Sequence, residues 1–215
     1  MSSLHVGSRM NTRIAVANRT KETGVSLIVS LLMLIVVSLL GISAARIALQ
    51  GEKVSRNDRD RQIALQAAEA ALMDAELDIE GSPDAAKSRS ALFASDNMLA
   101  FPATGCKAGV ANIDVGLCSA AAEGSAPVWQ TVDFLDASEN ASSVPYGRFT
   151  GYSFPAGMGT LPARQPRYVI EPMMFAYKGY AAEKPEVFYR ITAIGFGMRD
   201  STQVVLQTFY KKADK

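Results

Sequence analysis

From Val25 to Ala45 the chain runs for 21 residues without a charge. As a helix rising 1.5 Å per residue, that run covers about 30 Å, the thickness of a bilayer's hydrocarbon core. It is long enough to be a membrane helix. It therefore divides the chain into a leader, an anchor and a remainder that must fold by other means. The leader is basic, with Arg9, Arg13, Arg19 and Lys21 against Glu22. Basic flanks stay in the cytoplasm, so the expected orientation is N-terminus inside and the rest of the chain outside. Met10 is an alternative start to Met1 and would leave a 15-residue leader.

The layout differs from a secretory signal, which puts small residues after a shorter apolar stretch and is cut there. Here Lys21-Glu22-Thr23-Gly24 meets the apolar run directly at Val25. The junction resembles the type IV prepilin (class III) signal. That resemblance implies a cut after Gly24 by a peptidase on the cytoplasmic face, N-methylation of Val25, and an anchor that survives in the mature protein. An ordinary signal anchor that keeps its leader is the alternative reading of the same segment.

The whole chain carries +1 and the leader +3, which leaves the remainder slightly acidic. That balance gives no support to a nucleic-acid partner, which needs a basic face. About 165 residues follow the apolar run, enough for one compact domain. Cys106 and Cys118 have 11 residues between them in a Gly/Ala-rich region, with no CxxC, and the only histidine is His5 in the leader. This is a poor zinc signature, and in an oxidising compartment a disulfide is the better reading. Two buried free thiols are the alternative.

The helical pattern continues beyond the anchor. Gly41 and Gly51 weaken it, and a charged stretch from Glu52 to Arg61 follows. The Arg56–Arg61 run reads as a solvated helix face. From Gln62 to Glu80 alanine dominates, and Leu65, Ala68, Leu72, Ala75 and Ile79 recur at spacings of three and four, forming one apolar stripe. Gly81-Ser82-Pro83 then ends the helix. The expectation is one helix over Val25–Glu80, about 80 Å long. It divides into a transmembrane or filament-core part at 25–49 and an amphipathic part at 50–82. The globular head then occupies 83–215.

Residues 84–165 are rich in Gly, Ala, Ser and Pro. They predict loops, short helical turns and a strand around Arg148–Phe154. Asp114, Asp133, Asp136 and Glu139 do not match the EF-hand spacing and read as solvated loop carboxylates. Trp129 and Phe134 read as head core. Three strands follow, at Arg167–Glu171, Glu186–Ile194 and Thr202–Tyr210, rich in β-branched and aromatic residues, with a turn over Gly195–Asp200. Val187, Tyr189, Ile191 and Ala193 share one face of the second strand; Val204, Leu206 and Thr208 share one face of the third. Short links favour an antiparallel meander, and one apolar face of it is expected to cover the stripe at Leu65–Ile79. The fold class is α+β, a long N-terminal helix laid on a C-terminal antiparallel sheet.

Three pieces together resemble the PilX-type minor pilins of type IV pili. The first is Gly24 with Val25-Ser26-Leu27-Ile28-Val29 and the run ending Leu39-Leu40-Gly41-Ile42-Ser43-Ala44. The second is the Asn57–Leu72 segment, NDRDRQIALQAAEAAL. The third is Tyr189–Ala193 with Val204–Thr208, similar to the family's closing hairpin. The resemblance covers roughly residues 20–80 and 165–210 and leaves the middle unassigned. It implies a pilin-like fold and a structural subunit that primes pilus assembly and sits at or near the tip, supporting twitching motility and adhesion. The implied partners are the prepilin peptidase, other minor pilins, the major pilin and a tip adhesin. The implied location is the inner membrane, single-pass with the head in the periplasm, and then the pilus at the cell surface. Val29, Gly41, Leu65, Leu72 and Ile79 are assigned to filament or partner packing.

One departure from the major-pilin pattern stands out. The fifth residue after the cut is Val29, where major pilins carry the Glu that neutralises a neighbouring subunit's N-terminal ammonium. An unpaired charge in an apolar core is expensive, so the absence suits a scarce initiating or tip-proximal position. A pseudopilin of a type II secretion system shares the signal and the helix-on-sheet head, and is the nearest alternative. A membrane-anchored periplasmic enzyme or sensor is a more distant one. Without histidine beyond the leader there is no His-based triad or His-ligated metal, and there is no Gly-rich phosphate loop. Neither catalysis nor a cofactor is expected.

Overall fold

The structure, a computed structural model, describes residues 24–94, 98–122, 124–175 and 186–213. The chain separates into two compact units, Met1–Glu52 and Lys53–Lys215, which are treated one at a time. The α-helix α1 spans Val25–Glu80. In the first unit it is apolar and long enough to cross a membrane by length and composition, and every described side chain there is exposed. Two of its serines turn their hydroxyls onto their own helix, Ser30 to the Leu27 carbonyl at 2.9 Å and Ser43 to the Leu39 carbonyl at 2.8 Å. This satisfies polar groups that hydrocarbon would leave unpartnered.

In the second unit α1 ends at Glu80 as Gly81-Ser82-Pro83 requires, with the Gly81 amide closing the last turn on Leu77 at 2.9 Å. Four strands form one antiparallel sheet in the order β1-β2-β3-β4: β1 Val144–Pro145, β2 Arg167–Phe175, β3 Glu186–Phe196 and β4 Gln203–Tyr210. The meander of the last three is the one expected. Its register sets Tyr189, Ile191, Ala193 and Gly195 opposite Tyr210, Thr208, Leu206 and Val204, so the faces assigned from alternation are shared across the two strands.

Three details depart from expectation. No strand forms at 148–154: the chain turns at 146–150, and Gly147 and Gly151 both take positive φ. The extra strand is instead β1, paired to Tyr168 and Arg167. β2 also runs straight through Pro172. The Ile170 N–H and C=O both point away from β3, to Gly116 and Cys118, so Pro172, two residues on, turns its nitrogen to that same side and removes no bond from the β2–β3 ladder.

The sheet is covered by α1 on one face and by the connecting loops on part of the other, where Val205 and Phe209 of β4 stay exposed. Tyr168, Ile170, Tyr189, Ile191 and Ala193 pack with Ala71, Ala75 and Ile79 of α1 and with Phe93, Phe101 and Phe149 from the connecting region. Tyr189 anchors this layer, edge-on to Phe93 at 5.3 Å, stacked on Phe101 at 5.9 Å, and donating its hydroxyl to the Phe93 carbonyl at 3.0 Å. On the opposite face Val169, Ile194 and Phe196 meet Cys118 and Phe134, with Trp129 packed at the edge. Trp129 and Phe134 are thus head core, as the sequence suggests.

Candidate functional site

The surface that makes this head a carrier for α1 is the helix–sheet contact of the second unit. The residues α1 buries there are Asp60, Ala64, Ala67, Ala68, Ala71, Asp74, Ala75, Asp78 and Ile79. This face is rotated from the expected Leu65–Ile79 stripe. Ala68, Ala75 and Ile79 are buried, Leu72 packs at the edge of the core, and Leu65 is exposed. Gly195 gives the reason. A Cβ at that position would run into the Ala64 carbonyl and the Ala68 amide, so α1 lies with its backbone against β3. Only alanine fits so close an approach; leucine is displaced to the flank.

Three aspartates occupy the same face, and each is committed to a different loop of the head. Asp60 accepts the Met198 amide at 2.5 Å, Arg199 Nε at 2.8 Å and the Thr202 hydroxyl at 2.6 Å, all from the β3–β4 turn. Arg199 also reaches Asn57 at 3.1 Å. Gly197 keeps the turn clear, since a Cβ there would meet the Asp60 carboxylate. Burial pushes the Asp60 carboxyl up, but the bonds from Thr202, Arg199 and Met198 outweigh it and hold the group below its ordinary value. The expected solvated face at Arg56–Arg61 therefore has an exception at Asp60, because the β3–β4 turn closes over it.

Asp74 accepts the Gly147 amide at 2.8 Å and the Thr150 hydroxyl. Burial raises this carboxyl above its ordinary value, those two bonds lower it, and neighbouring Asp78 raises it again. Asp78 carries the strongest set. Arg89 Nε and Nη2 approach it at 2.6–3.0 Å, and the Tyr168 hydroxyl donates to it at 2.9 Å. Arg89 is fully buried, spends Nη1 on the Ile113 and Val115 carbonyls, and lies over the Phe149 ring at 3.7 Å. This pair gathers α1, the following segment, the middle loops and β2 around one buried charge. Burial, and then Asp78, push the Tyr168 hydroxyl well above its ordinary value.

Cys106 and Cys118 form a disulfide. It closes a small hairpin in which the Lys107 amide meets the Leu117 carbonyl at 2.9 Å and the Gly116 amide meets the Lys107 carbonyl at 3.1 Å. The hairpin then docks on β2, with the Cys118 amide on Ile170 at 2.8 Å and the Ile170 amide on Gly116 at 2.9 Å. The loop carboxylates serve locally: Asp114 pairs with Lys107 at 3.5 Å, while Asp133 and Asp136 cap the Leu135 and Ser138 amides at 2.8 Å each.

Two family models match the chain. The PilX N-terminal model matches residues 23–72, from the Gly24 junction into the alanine face. The model of the type IV pilus assembly protein PilX C-terminal region matches residues 114–212, which hold the sheet and its loops. The chain belongs to the PilX family. It is a minor pilin of the type IV pilus, a structural component that works among other pilus components. Neither a curated protein nor a solved structure gives a match. The PilX C-terminal match begins at Asp114, well inside the middle that the sequence resemblance leaves unassigned.

Of the residues assigned to processing and packing, Gly24 and Val25 stand at the start of α1, and Val29 and Gly41 are exposed along it. A Cβ added at Gly41 would meet nothing within 4 Å outside its own helix and adjoining residues. Ile79 faces inward, and its side chain belongs to the head core, not to a partner surface. Sequence reasoning passes over Asp60, Asp74, Asp78 and Arg89. The available signal is that aspartate is a poor interior helix residue, and all three fall in line with the alanines.

Proposed function

We propose that this minor pilin primes assembly of the type IV pilus and takes a place at or near its tip, and that twitching motility and surface adhesion depend on it. The observation that carries the reading is Val29 at the fifth position of an exposed apolar helix borne by a PilX-family head. A subunit without a carboxylate there offers no partner to an incoming N-terminal ammonium in an apolar filament core. It suits a place occupied once.

On this reading the chain inserts in the inner membrane with its N-terminus cytoplasmic and its head periplasmic. The prepilin peptidase cuts after Gly24, Val25 is N-methylated, and residues 25–49 enter the filament core. The segment at 50–82 joins the head at 83–215. Val29, Gly41 and Leu65, all exposed, are offered to other minor pilins and the major pilin, with a tip adhesin beyond. The disulfide agrees with an oxidising compartment.

The test is the intact mass of the chain from membranes with and without active prepilin peptidase. A species starting at Val25 and one methyl heavier than the bare chain is expected only with the peptidase. A full-length species in both strains would overturn the processing. Placement is read by immunogold labelling of sheared pili: label at one end is expected, and label along the shaft would sink the tip assignment.

A further inference from the structure

A cavity of about 280 Å³ opens on the head, away from the α1 face. Its floor is Phe134, Phe196 and Arg167, all buried; its mouth is Leu135, Ala137 and Arg164, all partly or fully exposed. The two arginines differ. Arg164 is already matched, donating to the Leu135 carbonyl and to Asp200 at 3.0 Å each. Arg167 is only 8% exposed and has no carboxylate partner among the described residues. Its Nε goes to the Ser143 hydroxyl at 2.7 Å and its Nη2 to the Ser143 carbonyl at 2.9 Å, while Nη1 takes no hydrogen bond among the described residues.

Nη1 keeps a route to solvent, since among the described residues Glu171 Oε1 is the buried side-chain atom left without a hydrogen bond, whereas the fully buried guanidinium of Arg89 is matched by Asp78. Asp136 acts on Arg167 only at a distance, because its carboxylate caps the Ser138 amide. Asp133 and Asp200 also lie near the mouth, beside Arg164. These exposed acids disfavour a multiply charged anion. The aromatic floor favours an apolar body. The volume lies below the roughly 300–1,000 Å³ of clefts that take drug-sized ligands, which limits the occupant to a group of side-chain size.

We propose that this cavity binds a single carboxylate carried on an apolar or aromatic body, the carboxylate meeting Arg167 Nη1 and the body lying on Phe134 and Phe196. The inference does not depend on where in the pilus the chain sits. The carboxylate belongs either to a small free acid or to an acidic side chain or terminus of another pilus subunit.

The probe is 4-fluorobenzoate, followed by fluorine NMR against the full chain in detergent micelles, with 4-fluorobenzamide as the uncharged isostere. Saturable binding of the acid is expected, weaker by about tenfold or more for the amide and in Arg167→Gln, as for loss of a charge-assisted bond. Ala137→Trp fills the mouth from an exposed position without touching Arg167, and is expected to block the acid while the fold persists. Absence of saturable binding to the unaltered chain, equal binding of acid and amide, or binding unchanged by both substitutions would overturn the proposal. The source is separated by two further readings. A small-molecule adduct in native mass spectra that is lost in Arg167→Gln identifies a free acid. Displacement of a co-purified pilus subunit by 4-fluorobenzoate identifies a protein carboxylate.

Discussion

At the scale of single residues, the joint between helix and head rests on side chains that are conspicuous for being small or charged. Gly195 is the tightest point. Gly195→Ala forces a methyl into the α1 backbone, and a loss of about 1–3 kcal/mol is expected in denaturant unfolding, the usual range for overpacking. Arg89→Met leaves Asp78 buried with only Tyr168, and is expected to cost about 3–5 kcal/mol, as for one partner removed from a buried pair. Asp60 and Asp74 give opposite pH signatures. Asp60 lies below its ordinary value, so its contribution is full above the ordinary carboxylate range and is lost as pH falls through its lower folded value. Asp74 lies above its ordinary value, so the folded state holds that proton more tightly and stability falls as pH rises across the gap. Melting of Asp60→Asn against pH should therefore show its largest deficit near neutrality, narrowing below about pH 4. A gap independent of pH would show that the carboxylate charge is not what the β3–β4 turn reads. None of these aspartates is visible to a search for apolar periodicity, because their partners lie up to 142 residues away in sequence.

At the scale of elements, local rules carry most of the reading. α1 starts where charge ceases and ends at Gly81-Ser82-Pro83, and the three C-terminal strands follow their β-branched and aromatic runs. What local rules miss is set by neighbours. Pro172 looks like a stop and is not one, because the side of β2 it faces carries no ladder at that point. The amphipathic stripe is displaced by close packing: leucines dominate a hydrophobicity pattern, whereas the approach of β3 selects the alanines beside them. The disulfide hairpin continues the β2 edge beyond the two-residue β1. Replacing Cys106 and Cys118 with serine should remove up to ~3 kcal/mol in the chain-entropy account. Hydrogen exchange should then accelerate first at the Cys118 and Ile170 amides, while the β3–β4 ladder remains protected.

At the scale of the whole molecule, class and family are legible because they depend on order along the chain: junction, apolar run, alanine helix, closing hairpin. The carboxylate cavity is not legible, since Phe134, Arg167 and Phe196 belong to three separate stretches that only the fold assembles. A Val29→Glu exchange belongs to this scale as well. Counting subunits in sheared pili should show the variant spreading along the shaft; unchanged stoichiometry would count against the tip assignment. The three inward aspartates also have a mechanical side. A pull along α1 strains its bonds to the β3–β4 turn, to the Gly147–Thr150 turn and to Arg89 together, in shear, so no single fastening is peeled before the next. Under optical-tweezer tension the head should release its helix in one abrupt high-force event and not in a staircase, a property suited to a component of a filament under load.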